Sequence, residues 1–243
     1  MPSRRWCLLQ GAIASAEENM ATDLRLLEAL EPDQPPCLHL YRWEAPCATY
    51  GHFCHPELWL DLEAVAAQGW QLARRPTGGA ITFHICDLAF AVLVPASHPA
   101  YQLSTERRYC FVNGALARAV ARYRGITPPS LIDQEEGELL SPACGHFCMA
   151  RPTRYDLVID GAKLAGAAQR CTKRGFLHQG SLFLAKPPLD QLAKLLRPDS
   201  VLLSAFQRQS LALLDLIEAS AVPLDTLRQE LGLLLFEELQ AAG

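Results

Sequence analysis

Apolar positions recur at helical spacing from Ala16 to Leu30, with Met20, Leu24, Leu27 and Leu30 on one stripe. The Glu31-Pro-Asp-Gln-Pro-Pro36 cluster stops that helix and turns the chain. Residues 4–10 before it and Cys37–Trp43 after it read as strands. Pro56–Gln68 reads as a helix, Trp70–Arg75 as a strand, and Pro76-Thr-Gly-Gly79 as a tight turn. Ile81–His84 and Leu88–Val94 read as two strands of a hairpin. Thr105–Tyr123 carries Phe111, Leu116, Ala119 and Val120 on a helical stripe, and Gly125 is placed to cap its C-terminus. Pro128–Pro142 is a polar connection, in which the acidic run Asp133–Glu138 reads as a solvated loop. Three strands are predicted next, over Tyr155–Ile159, Ala162–Arg170 and Gly175–Leu184, the first two joined by an Asp160-Gly161 hairpin turn. Beyond Pro188 the pattern is mostly helical. Irregular alternation of strands and helices predicts an α/β or α+β fold, a mixed β-sheet flanked by helices. One catalytic domain over residues 1–198 is expected, with 199–243 as a helical tail packed on it.

The length, 243 residues, suits one such domain with a sizeable core. A net charge of −4 supplies no basic field for nucleic acid, so an acidic partner would need a local patch. The apolar runs are too short or too interrupted to span a membrane, and the basic N-terminal residues lead into a weak apolar run followed at once by acidic residues, so a strand entering a helix is expected there in preference to a signal peptide. Nine cysteines, scattered without a framework spacing, fit free thiols in a reducing cytoplasm.

Four features bear chemistry. Arg74-Arg75-Pro76-Thr77-Gly78-Gly79 is either an ordinary glycine turn or a backbone that approaches a phosphate or carboxylate closely. Lys163 stands among small residues in a half-buried strand and reads equally as a fixed cation or a surface lysine. Cys148 follows the polar loop, near Arg151, Arg154 and Lys163, which would stabilise a thiolate; a buried inert cysteine is the alternative. The sequence Gly-His-Phe-Cys occurs twice, at 51–54 and 145–148, but its His and Cys spacings are too tight for a zinc knuckle, so no metal is expected. No Gly-x-Ser-x-Gly elbow is present.

These segments, in their order, resemble the lipoate-protein ligase and octanoyltransferase family. The resemblance is carried by Glu18-Asn19-Met20-Ala21-x-Asp23, by Tyr41-x-Trp43-x-x-Pro46-x-x-Thr49-x-Gly51, and by Arg74-Arg75-Pro76-Thr77-Gly78-Gly79 with His84. It continues through Lys163-Leu-Ala-Gly166-Ala-Ala-Gln169 and His178-Gln-Gly-Ser181. Cys148-x-x-x-Pro152-Thr153-x-Tyr155-Asp156 is similar to the segment that carries the nucleophile of the cysteine-dependent octanoyltransferases. Three positions depart from the pattern: Ile85 after His84, Ala80 in place of a third glycine, and Met149 after the cysteine where phenylalanine is usual.

The resemblance implies a fold shared with biotin ligases and acyl transfer onto a lysine of a lipoyl-carrier domain. It implies Cys148 and Lys163 as the catalytic pair. It also implies Arg74, Gly78, Gly79, His84, Gly166, Ala167, Gln169 and His178 as residues around the acyl group. A transferase would take octanoyl from acyl carrier protein and need no further cofactor. A ligase would instead use ATP and Mg²⁺ to activate free lipoate. The implied acceptors are lipoyl domains of 2-oxoacid dehydrogenase E2 subunits or the glycine cleavage H protein. A non-catalytic carrier-binding module is a third reading from another class.

Overall fold

The computed structural model describes residues 6–132, 139–198, 201–216 and 222–243. Its centre is a seven-stranded mixed sheet. The chain enters through β1 (Cys7–Ala14), crosses over α1 (Ala16–Glu28) and returns in β2 (Cys37–Trp43), which pairs parallel to β1. Ser15 caps α1 by accepting the Glu18 N–H, and the acidic Glu17 and Glu18 sit in its first turn. A smaller sheet follows from β3 (Cys47–Tyr50), β4 (Gln71–Arg74) and β5 (Thr82–His84), in the order β4-β3-β5. The helix α2 (Leu62–Ala67) lies between β3 and β4, with Asp61 accepting the N–H groups of Glu63 and Ala64 as its cap.

The chain then rejoins the large sheet in β6 (Asp87–Pro95) and runs through α3 (Thr105–Arg124) to the short β7 (Ser130–Leu131). It finishes the sheet in β8 (Leu157–Ile159), β9 (Ala162–Cys171) and β10 (Gly175–Phe183), giving the order β1-β2-β6-β10-β9-β8-β7. The strands β6 and β10 are buried at every position, as the central strands of a sheet covered on both faces must be. Among the described residues three α-helices close the chain: α4 (Leu189–Leu195), α5 (Leu202–Gln209) and α6 (Leu224–Ala242). On α6, Leu227, Leu231, Leu235 and Leu239 join the largest apolar cluster with Val112, Leu116 and Val120 of α3. The spacing of four is one helical stripe buried against a neighbour.

Several sequence expectations change in detail. The strands β5 and β6 are consecutive but belong to different sheets, so the expected hairpin does not form. The helix predicted over Pro56–Gln68 is a short 3₁₀ turn at Pro56–Leu58 followed by α2, because the aspartate at 61 caps a new start. The connection Pro128–Pro142 contains β7, and Asp133–Glu138 lie outside the described residues. The Asp160-Gly161 turn is as expected: both residues have positive φ, 51° and 76°, as a tight two-residue hairpin requires. Among the described residues no helix is long and apolar enough to cross a membrane.

Candidate active site

A cavity of about 490 Å³ opens between the two sheets, a volume typical of small-molecule sites. Its walls come from β9 and β10 of the large sheet, from β3 and β5 of the small one, and from the turns at 75–80 and 144–153. Two close approaches build it. The loop at Gly51 presses on the Gly78-Gly79 turn so tightly that a Cβ at Gly51 would lie 2.1 Å from the Gly79 carbonyl oxygen. Gly79 itself has φ 93°, a conformation that favours glycine. The segment before Cys148 is pinned by Ile81, whose N–H donates to His146 (2.8 Å) and whose carbonyl accepts from the Cys148 N–H (2.8 Å). Cys148 is half-buried on the cavity wall.

Lys163 enters from β9 and is buried. A register shift puts it there. Leu157 pairs with Ala165 while Val158 pairs with Lys163, so Leu164 is an extra residue and the strand bulges. The bulge brings Lys163 and Gly166, three apart, onto one face of a strand whose ordinary period is two. Gly166 makes the room: a Cβ there would lie 2.6 Å from Lys163 Cε and 3.0 Å from Asp156 Oδ1. Lys163 Nζ stands 2.6 Å from Asp156 Oδ2. Burial pushes the lysine toward its neutral form, but the charges of Asp156 and Cys148, with hydrogen bonds to both, outweigh that and hold it well above the usual lysine range. Burial likewise pushes the Asp156 carboxyl up, against the pull of Lys163 and two donors from Thr153. The 2.6 Å contact and the raised lysine favour the ion pair, with the ammonium hydrogen-bonded to the thiol as well.

The second buried cation is Arg75. Its Nη1 donates to the Thr49 carbonyl (3.0 Å) and hydroxyl (2.8 Å), and its Nη2 to the carbonyls of Gly78 (3.0 Å) and Ala80 (2.7 Å). It staples the glycine turn to β3. Thr49 links on to His84 Nε2 (2.8 Å), and His84 Nδ1 meets Asp87 Oδ2 (2.7 Å), which also accepts from Ser181 (2.7 Å). At the inner end, Gln179 donates to Asp23 (2.7 Å) and accepts from Thr77 (2.7 Å); Asp23 also binds His39 (2.8 Å) and Tyr41. Burial and the Asp23 charge push the Tyr41 hydroxyl well up, so it stays a donor.

Of the residues singled out in the sequence, Cys148, Lys163, Gly79, His84, Gly166 and Ala167 line the cavity. Arg74 is exposed outside it; strand alternation turns Ala73 and Arg75 inward and Arg74 outward. Gly78 does not line it either, serving the close packing with Gly51. Gln169 and His178 are cross-strand partners on the opposite face, toward α3. Gln169 Nε2 donates to His178 Nδ1 (2.8 Å), and burial lowers the imidazole to about 3, so it is neutral. These two hold β9 to β10 behind the cavity.

Both Gly-His-Phe-Cys copies border the cavity. Phe53 of the first copy is 86% exposed at its mouth, and Cys54 lies on its wall. In the sequence Arg75 and Asp156 stand only as members of their motifs, and the first copy only as half of a rejected zinc site; the inward phase of β4 separates Arg75 from Arg74. Among the described residues no group of three or more His, Cys, Asp or Glu side chains is placed to hold a metal ion.

The geometry meets its relatives at this point. Residues 15–211 match the lipoyl protein ligase A/B catalytic domain. The chain belongs to this family. It is 31% identical over 219 residues to the octanoyltransferase LipM of Kyrpidia tusciae, covering 88% of this chain and 80% of the relative. It is 32% identical over 220 residues to the octanoyltransferase LipM of Moorella thermoacetica, covering 88% and 79%. Among solved structures, a bi-partite lipoate protein ligase from Thermoplasma acidophilum superposes with a TM-score of 0.72 at 20% identity, over 98% of this chain and 82% of that one. A lipoate-protein ligase A bound with ATP superposes with a TM-score of 0.70 at 21% identity, over 98% and 84%. These two carry the fold, so this family member has the lipoate-ligase architecture: a large mixed sheet with flanking helices.

Proposed function

We propose that this chain is an octanoyltransferase of protein lipoylation, with Cys148 as nucleophile and Lys163 as its fixed cation. The observation that carries the reading is the cavity shared by a half-buried thiol and a buried ammonium hydrogen-bonded to it. The relatives named octanoyltransferase supply the acyl group.

In the first step the Cys148 thiolate attacks the carbonyl carbon of an octanoyl thioester on a carrier protein. The carbonyl π electrons move to oxygen, and the oxyanion forms beside the Lys163 ammonium. Collapse breaks the bond to the carrier sulfur, which leaves as a thiol after protonation, and octanoyl remains on Cys148. One thioester has replaced another, so the step is close to thermoneutral. In the second step a neutral lysine amine of a lipoyl domain attacks the same carbonyl, loses a proton, and expels the Cys148 thiolate. The product is an amide, and its stability drives the sequence forward. Gly166, Ala167 and Ala168 leave a smooth wall along which an alkyl chain can lie.

We read the donor as acyl carrier protein, the acceptors as lipoyl domains of 2-oxoacid dehydrogenase E2 subunits or the glycine cleavage H protein, and the setting as cytoplasmic. No added cofactor is needed on this path. ATP-dependent activation has less support: Ala80 replaces the third glycine of the turn, and Arg75 spends its donors on that turn's own carbonyls.

The test is mass spectrometry after incubation with octanoyl carrier protein. Wild type is expected to gain one octanoyl group, on Cys148, and to pass it to a lipoyl domain. Undiminished transfer by Cys148→Ala would overturn the reading, and modification of the domain from ATP, Mg²⁺ and free lipoate by that variant would favour the ligase.

A further inference from the structure

The residue behind Lys163 is placed with unusual care. Tyr155, next to Asp156, has φ 72°, a left-handed conformation that a large side chain rarely adopts. Four contacts hold it. Asn113 of α3 donates to its carbonyl (2.8 Å), Tyr109 of α3 stacks on its ring at 4.8 Å, and Arg154 lies over the ring at 4.9 Å. Its N–H donates to the Ile132 carbonyl (2.8 Å), and the Ile132 N–H donates to the Asp156 carbonyl (3.1 Å). The Asp156 carboxylate is fixed in turn. Its Oδ2 accepts from the Thr153 N–H (2.7 Å) and hydroxyl (2.9 Å) and meets Lys163 at 2.6 Å. Its Oδ1 faces the space left by Gly166.

We infer that Asp156 is a positioning residue: aimed by the strained Tyr155 turn, it keeps Lys163 both in place and charged beside Cys148. This rests on the proposal that Cys148 is the nucleophile. Few charges act on Lys163. Asp156 comes from the turn before β8, and Cys148 comes from the 3₁₀ turn at Cys148–Ala150. Arg75 and Arg151 also line the cavity, and on the α5 side, among the described residues, Ser210 and Leu211 pair with the Lys163 backbone. Remove the carboxylate, and desolvation of a buried lysine favours its neutral form. A neutral lysine stabilises neither a thiolate nor an oxyanion. A carboxylate forms no bond in thioester exchange; it acts through Lys163 and, in the opposite sense, by its own charge on the thiol.

The test compares wild type, Asp156→Asn and Asp156→Glu by two readouts. The first is the rate of Cys148 alkylation by iodoacetamide as a function of pH, and the second is octanoyl acylation of Cys148 at pH 8. In Asp156→Asn the pH of half-maximal alkylation is expected to rise by about one unit, and acylation to slow about tenfold. Asp156→Glu is expected to recover most of both. A profile that stays put, or moves to lower pH, overturns the inference. Movement to lower pH would mean that Lys163 keeps its proton unaided and that the carboxylate only weakened it. If Asp156→Asn fails to fold, Thr153→Val takes its place. That variant removes one hydrogen bond from Oδ2 and is expected to shift the profile in the same direction by less; no shift there also overturns the inference. Transfer that survives Cys148→Ala would sink the nucleophile reading instead, and would leave the alkylation comparison standing on its own.

Discussion

Replacing Lys163 with methionine keeps the side chain's length and removes its charge. Asp156 then remains almost fully buried, with Thr153 as its remaining donor group. Breaking a buried pair from one side costs about 3–5 kcal/mol, because a desolvated charge is left behind. The variant can avoid part of that cost by keeping the carboxyl protonated. The sign follows from proton linkage. A carboxyl whose folded value is raised above the unfolded one, about 3.9, binds more protons in the native state. Stability is then greatest at acid pH and falls by up to about 1.4 kcal/mol per unit as pH rises through that window. Wild type differs in degree: burial raises its Asp156 carboxyl too, but Lys163 and Thr153 pull against that rise, and the Lys163 ammonium is itself held above its usual range. The contribution of a raised lysine is fully present below the unfolded value of about 10.4 and is lost only as pH climbs through the folded one. Urea unfolding at pH 5, 6, 7 and 8 measures both. Lys163→Met is expected to lose stability steadily from pH 5 to 8 relative to wild type, and the double variant Lys163→Met/Asp156→Asn to lose that added slope. Parallel curves for wild type and Lys163→Met would refute the buried-pair argument.

Two further outcomes follow from positions away from the thiol. Gly51→Ala drives a methyl into the backbone of Gly78 and Gly79, which no side-chain rotation relieves. It is expected to cost on the order of 2 kcal/mol or more and to lower the midpoint of thermal unfolding accordingly. His178 is buried neutral, with its value lowered to about 3, so its contribution is present above about 6.5 and is lost as pH falls toward 3. His178→Gln is expected to flatten the loss of stability between pH 6.5 and 4 in denaturant titrations; an unchanged acid slope would contradict the burial argument.

Much of this architecture is legible in the sequence because local pattern and tertiary role agree. The stripe on α1, the alternation in β2 and the Asp160-Gly161 turn each specify one element without help from elsewhere. Pairing is less legible. The strands β5 and β6 are separated by only Ile85 and Cys86, and spacing alone cannot say that they part into two sheets. The short β3 carries its register in contacts with β4 and β5, both downstream. At the site, Lys163 and Cys148 stand out by residue type, whereas Asp156 looks like any turn aspartate until Lys163 is beside it. Arg74 and Arg75 differ only in strand phase, and the sequence does not mark where the strand ends. Gln169 and His178 are polar residues in a strand, and the sheet face they occupy is decided by the partner strands.

The extra residue at Leu164 makes the cavity depend on a count as well as on chemistry. A strand obeys parity, and one added residue reverses it for everything on one side of the insertion. A regular strand through these same residues would set Lys163 and Gly166, three apart, on opposite faces and turn the ammonium from the thiol toward the packing under α3. Substitutions here adjust the site in degree, but the extra residue decides which side of the strand is its inside.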